Sequence, residues 1–441
     1  TFTGLVTITT FDLTVASSAI TAVTVGITGS TGNIDIAATT RTDVDGAIAL
    51  AGAGTVQLDR AIVSGVNVTT AGGDITFDGA ASTDTGAVAV GTGPGAGAVL
   101  LNNTLGLGGN LTVTAGAGNV TFTGAVTITT FDLTVASSAI TVVTGGISGT
   151  TGNVDIAATT RTDVDGAIAL SGAGTVQLDL AVVSGASVTT VGGDISFDGA
   201  ASTDTAAVAV QSGGGAVLFN DTLGLGSDLT ITAGAGTVTL AGAATIATFN
   251  LSVASSDLTS VALGISGTTG NVDIAATTRT DVDGAIALSG AGTVQLDRAI
   301  VSGVNVTTVG GAITFDGAAS TDTGVVAVGT GPGAGAVLFN DTLGLGGNLT
   351  VTAGAGNVTF TGLVTITTFD LTVASSATTA VTGGISGTTG NVDIAATTRT
   401  DVDGAIALSG AGTVQLDRAI VSGMNVTTVG GDITFDGAAS T

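Results

Sequence analysis

The residues best placed to do chemistry in this chain are pairs of aspartates that recur along it. The phrase TRTDVDG places Asp43 and Asp45 two residues apart and just before a glycine. It returns with Asp163/Asp165, Asp281/Asp283 and Asp401/Asp403. Two carboxylates at i and i+2 followed by Gly match the opening of a calcium loop, where oxygen ligands converge on a hard cation. The chain has no Glu, so the distal ligand of a full EF-hand loop is missing. The competing reading is a solvated turn in which Arg41, Arg161, Arg279 or Arg399 pairs with a neighbouring Asp. The solvated turn is the favoured reading, so no cofactor is expected, and calcium at these eight aspartates is the one candidate.

Other motifs carry less. QLDR sets Asp59 beside Arg60, Asp297 beside Arg298 and Asp417 beside Arg418, but the second copy has Leu180 in place of Arg. A cation optional in one copy suits surface pairing or packing, not catalysis. GTGPGAG at Gly91–Gly97 has the glycines of a phosphate loop without the helix and Lys such a loop uses, so it reads as a corner. Asn67, Asn110, Asn119 and Asn250 sit in Asn-x-Thr/Ser triplets, which a Thr-rich strand pattern produces by chance. Asn220 and Asn340, each just after a strand, read as turn caps or an amide ladder. Thr112/Thr114 and Thr127/Thr129 have the spacing of an ice-binding face, but their positions shift between successive stretches. Acid–base and nucleophilic catalysis lack their usual residues, because the chain has no His, Cys, Lys or Tyr. A carboxylate pair acting on polysaccharide would be a private cluster, whereas every Asp cluster here is copied. No enzyme activity is expected.

Composition explains which scaffold holds these residues. Of 441 residues 73 are Gly, and only 9% are charged, yet 44% are hydrophobic, so the chain has enough apolar surface to fold. Val, Ile and Thr dominate and favour strands. The net charge of −26, built from 33 Asp against seven Arg, argues against nucleic acid and anionic membrane surfaces. No apolar run approaches the ~20 residues of a membrane helix, so no membrane insertion is expected. Thr1 opens the chain without a Met, which suggests a start internal to a longer precursor.

Self-similarity sets the architecture. N-[IV]-D-I-A-A-T-T-R-T-D-V-D-G begins at Asn33, Asn153, Asn271 and Asn391, spacings of 120, 118 and 120 residues. The copy that is two residues shorter has its deletion near Gln211. Repeat units fall at about 1–31 (partial), 32–151, 152–269, 270–389 and 390–441 (partial), in one continuous domain, 1–441. Within a unit, glycines are followed two and four positions later by apolar residues: Gly118 by Val120 and Phe122, Gly152 by Val154 and Ile156. The same holds for Gly174 (Val176, Leu178), Gly193 (Ile195, Phe197), Gly215 (Val217, Phe219) and Gly236 (Val238, Leu240). That is the two-residue period of strands with one buried face. The glycine intervals of 34, 22, 19, 22 and 21 residues are mostly one coil of three short strands. The spacing predicts an all-β, right-handed parallel β-helix (β-solenoid) of about five coils per unit. At about 4.8 Å per coil, a unit would add roughly 24 Å. Val120, Val154 and Val176 are expected in one internal ladder, and Phe122, Ile156, Leu178, Phe197, Phe219 and Leu240 in another. The 34-residue interval fits one coil with an excursion around 137–150, or two short coils.

Units such as GNVTFTGAVTIT (Gly118–Thr129) and GGDITFDGAAST (Gly72–Thr83) resemble the β-helical shafts of bacterial surface adhesins, notably filamentous-haemagglutinin-type two-partner-secreted proteins and autotransporter passengers. The resemblance spans the whole chain in style and period. It implies export to a bacterial cell surface and work in adhesion, biofilm or sheath formation, with a cell-surface receptor or matrix as partner. Near-identity of the units departs from typical shafts and suggests selection for length. The expected function is thus an extracellular fibre or adhesin shaft, with a calcium- or ice-binding solenoid as the alternative. Neither end offers a polar cap, so pairing with itself, head to tail or through a longer array, is expected.

Overall fold

A computed structural model describes residues 1–441 and bears out the solenoid: the chain is all strand, with no helix, and its strands pair in parallel. It divides into two compact units, Thr1–Asn220 and Asp221–Thr441. Each is a stack of coils whose strands fall into three columns. A strand of two to four residues presents Val, Ile, Leu or Phe inward at alternate positions and Thr, Ser, Asp or Gln outward. Val176–Asp179 is typical, with Val176 and Leu178 buried and Gln177 exposed. Parallel pairing in register then puts like on like.

In the first unit one inner column runs Val15, Ile36, Leu58, Phe77, Leu101, Phe122, Val143, Val164, Val183. Another runs Ile48, Val68, Val90, Val113, Val135, Ile156, Leu178, Phe197, Phe219. The rings of Phe197 and Phe219 stack at 4.6 Å and 4°. In the second unit Leu296 is followed by Phe315, Phe339 and Phe360, whose centroids lie 4.8 and 5.2 Å apart. The ten sequence-predicted ladder residues from Val120 to Phe219 are all buried.

Two expectations need correcting, for one reason. Val120 and Phe122 do not stack on Val154 and Ile156; they pair with Thr141 and Val143, while Val154 and Ile156 stack on Leu133 and Val135. The 34-residue interval contains the 11-residue strand Leu133–Val143, which turns a corner without breaking and serves two columns. Its first half continues Leu111–Thr114, its second half Val120–Phe122. Val154–Val164 does the same one coil later. With each long strand counted as two segments, the repeat from Leu13 to Thr129 holds seventeen segments on three faces. A unit is therefore five and two-thirds coils, not five.

The consequence is a rotation. Leu58 of the first VQLD lies in the column of Phe122, whereas Leu178 of the second lies in the column of Phe197, on another face. In the second unit Leu296 and Leu416 are likewise on different columns, the one leading to Phe360, the other reached from Val351 through Val373 and Ile394. Within each unit, identical sequence thus reappears on a neighbouring face in the next repeat. The two residues missing near Gln211 come out of a corner: Gly91 and Val99 are joined through GTGPGAG, Gln211 and Val217 through a shorter turn.

Corners depend on close approach of successive coils. A Cβ on Gly118 would lie 1.9 Å from the carbonyl oxygen of Gly97, so no other residue fits there. Buried corner hydroxyls are satisfied locally: Thr42, Thr162, Thr280 and Thr400 donate to the carbonyls of Asp59, Asp179, Asp297 and Asp417 at 2.7–2.8 Å.

Replacing Phe197 by Ala removes a fully buried ring and its stacking partner on Phe219. It should cost about 3–5 kcal/mol, measured as a lowered denaturant midpoint; a loss below ~1 kcal/mol would contradict the column register.

Candidate functional site

Seven arginines stand against 33 aspartates, and the structure sorts the charged residues into two recurring constellations on the corner between two faces. The first holds the cations. In the long strand Ile34–Val44, Arg41 lies at the bend and Asp43 two residues on, so both point outward from the same side. Arg41 Nε meets Asp43 Oδ1 at 2.6 Å, and Arg161–Asp163, Arg279–Asp281 and Arg399–Asp401 repeat the pair at 2.6 Å. Of the eight aspartates read as a calcium loop, Asp43, Asp163, Asp281 and Asp401 are thus half-buried partners of an arginine. Asp45, Asp165, Asp283 and Asp403 are exposed two residues on, each at the start of the turn closed by the following glycine. Backbone N–H groups of that turn reach the previous coil, Asp45 N to Val23 O at 2.9 Å. The structure assembles no group of three or more carboxylates around a common point at these positions.

One coil further along the same corner stands the arginine of QLDR. Arg60, Arg298 and Arg418 are single-residue corners with φ near +50°, as is Leu180 at +52°. A left-handed conformation costs a non-glycine residue roughly 1–2 kcal/mol. The corner offsets this with two main-chain bonds: Arg60 N donates to Asp78 O at 2.7 Å, and its carbonyl accepts from Thr42 N at 3.1 Å. The stem of Arg60 lies over Gly79, where an added Cβ would sit 2.9 Å from Arg60 Cγ; Leu180 covers Gly199 in the same way. That shared packing explains why Leu substitutes for Arg in the second copy. The guanidinium does not bond its sequence neighbour Asp59. Its Nη1 donates to Ala38 O at 3.3 Å, and Arg298 and Arg418 reach Ala276 O and Ala396 O at 3.2 and 3.0 Å.

The second constellation, which spacing alone does not reveal, is acidic. Asp59 and Asp78 are register partners on adjacent coils, and Asp35 lies one coil earlier on the same face. Asp155, Asp179 and Asp198 repeat the triad, as do Asp273, Asp297 and Asp316, and Asp393, Asp417 and Asp436. Gln57 Nε2 donates to Asp78 Oδ2 at 2.9 Å, and the Asn102 amide bonds the other oxygen. Asn220 and Asn340 reach Asp198 and Asp316 likewise, so these asparagines tie each strand end to the carboxylate of the coil before it. The middle carboxylate fares worse: Oδ1 of Asp59, Asp179 and Asp297 is buried without a hydrogen bond.

Electrostatics follow from this geometry. Burial, then repulsion from Asp198 and Asp155, pushes the Asp179 carboxyl above its ordinary 3.8. Burial raises Asp297 as well, with Asp316 and Asp273 adding and Arg298 opposing; Asp59 follows the same pattern with Asp78, Asp35 and Arg60. Asp155 and Asp273 are also raised, by burial and then by Asp198 and Asp316. Asp393 rises by burial and by Asp417 and Asp436.

Remaining motifs are structural in their contacts. Asn110 Oδ1 accepts from Asp132 N at 3.0 Å and Asn250 Oδ1 from Asn271 N at 3.0 Å, part of a corner ladder in which Asn33 Oδ1 takes Thr55 N at 2.9 Å. In GTGPGAG, buried Thr92 donates to Gly97 O at 2.7 Å. The outward threonines do not keep register: Thr112 pairs with Thr134 but then meets Asp155, and Thr127 meets Ser148 and then Ala169.

Fold and corners together define a repeat β-solenoid with a periodic, strongly acidic surface. Compared with protein-family models, curated proteins and solved structures, the chain matches none.

A carboxyl harder to ionise when folded favours the folded state while protonated. The contribution is fully present below the unfolded value near 3.8 and is lost as pH rises through the raised folded values. Thermal stability should therefore increase on acidification from pH 7 toward 4. Asp179→Asn should raise the melting temperature at pH 7 and leave it unchanged near pH 3.5. A variant that melts lower at pH 7 would show that Asp179 is favourably held.

Proposed function

We propose that this chain is part of the shaft of an extracellular fibre or adhesin on a bacterial surface. One observation carries the reading: inner columns, corner ladders and charged constellations recur from repeat to repeat, so the sequence maintains a scaffold along its length and singles out no unit for a private task. A β-solenoid suits such a role because main-chain hydrogen bonds between successive coils run along the stacking direction and resist bending and extension together. High aspartate content keeps the surface solvated and discourages indiscriminate side-by-side collapse. Self-pairing is part of the reading: an open coil edge recruits another strand, supplied by more of the same polypeptide or by a second copy in head-to-tail order.

Gold-labelled antibody against the chain should decorate fibres at the cell surface in electron micrographs, and label confined to the cell interior would sink the assignment. The isolated 441-residue chain should also show end-to-end species that grow with concentration in sedimentation velocity. A sharp monomer at the highest attainable concentration would remove self-pairing from the reading.

A further inference from the structure

The three arginines of QLDR are in no ion pair, although aspartates outnumber arginines 33 to seven. Each is exposed, donates to a backbone carbonyl through one nitrogen, and stacks one coil from an arginine that an aspartate already neutralises. All seven cations of the chain are thereby gathered in four corner positions, one per repeat: Arg41 with Arg60, Arg161 alone, Arg279 with Arg298, Arg399 with Arg418. Arg279 and Arg298 flank a shallow, open groove of 250 Å³ lined also by Thr278, Ile300, Ala318, Ala319 and Ser320. Arg399 and Arg418 flank the equivalent groove of 290 Å³. The glycine under each QLDR arginine and the alanines beside it leave the depression open.

We propose that each of these double-arginine grooves binds one carboxylated sugar, a single uronic-acid residue on an otherwise neutral glycan. The outer guanidinium has donors free for two parallel hydrogen bonds to a planar carboxylate. The Ile and Ala lining suits the C–H face of a sugar ring, and the threonine and serine offer hydroxyl contacts beside it. Groove size fits a single ring, below the 300–1,000 Å³ of drug-sized pockets. A second copy of the chain is a poorer occupant. Its only carboxylates are aspartates, the shortest available, and those of the acidic triads are half-buried in strands. Binding of this kind does not require the chain to be a shaft.

The second repeat is a built-in control, since Leu180 replaces the outer arginine while preserving its packing on Gly199. In the full chain, galacturonic acid should shift the guanidinium Nε–H signals of Arg60, Arg298 and Arg418 in NMR titration, with dissociation constants on the order of 1 mM. Neutral galactose should not. The triple variant Arg60→Leu, Arg298→Leu, Arg418→Leu copies a residue the fold already accepts; it should keep its melting temperature and weaken binding at least about tenfold. Leu180→Arg should add a fourth site. The proposal fails if the neutral sugar gives equal shifts, if the triple variant binds as well as the parent, or if 20-fold excess over that ~1 mM constant leaves all three signals unmoved. It also fails if the triple variant abolishes lateral self-association in sedimentation, which would identify a second copy as the occupant.

Discussion

Everything in this molecule rests on parallel backbone pairing in register between one coil and the next. That pairing holds like residues about 4.8 Å apart along the stack, so each choice of side chain is made against its own neighbours above and below. Inward, the rule selects columns of Val, Ile, Leu and Phe, and it lets Phe197 and Phe219 stack face to face at 4.6 Å. At the corners it brings backbone against backbone, which is why Gly118 admits no Cβ. Outward, it places charge on charge. The acidic triads and the stacked arginines are direct results of repeating charged residues at coil spacing.

Repeat length and coil length do not divide evenly, and that mismatch governs how the surface is presented. Seventeen strand segments on three faces leave two-thirds of a coil over. The long strands Leu133–Val143 and Val154–Val164 absorb the difference by bending through a corner without a break. A feature repeated in sequence at 120 residues is therefore distributed round the faces instead of forming a stripe along one of them. For a surface of one dominant charge this spreads the repulsion between aspartate clusters, and it sets the few cationic grooves facing different directions.

The stacked charges show how a repetitive scaffold tolerates local cost. Asp59, Asp179 and Asp297 each bury an unsatisfied oxygen beside two other carboxylates, an arrangement that burial and repulsion both disfavour at neutral pH. Their strand positions are held by the main-chain ladder and by Leu58, Leu178 and Leu296 one residue earlier, which are fully buried. Packing of the column thus outweighs the electrostatics of a single outward residue. Arg60 and its copies illustrate the same balance, since Leu180 keeps the corner intact with no charge at all.

Two-residue alternation after each glycine, repeated in four near-identical copies, was enough to specify strands, their buried faces, parallel stacking and the burial of Phe197 and Phe219. Those properties are local or nearest-neighbour, and a period in the sequence encodes them directly. The number of coils per repeat was not legible, because ASSAITVV at Ala136–Val143 reads as an irregular stretch until the coils around it fix where the strand bends. Column membership of Val120 and Phe122 failed with it, since two added thirds of a turn move every later strand to a new face. Function-bearing groups divide in the same way. TRTDVDG displays its Arg and Asp in sequence, but the partner each one takes depends on which outward side chains share a face. The triad of Asp35, Asp59 and Asp78 and the groove between Arg279 and Arg298 join residues about 20 positions apart. Only the length of a coil brings them together, and only the folded stack sets that length.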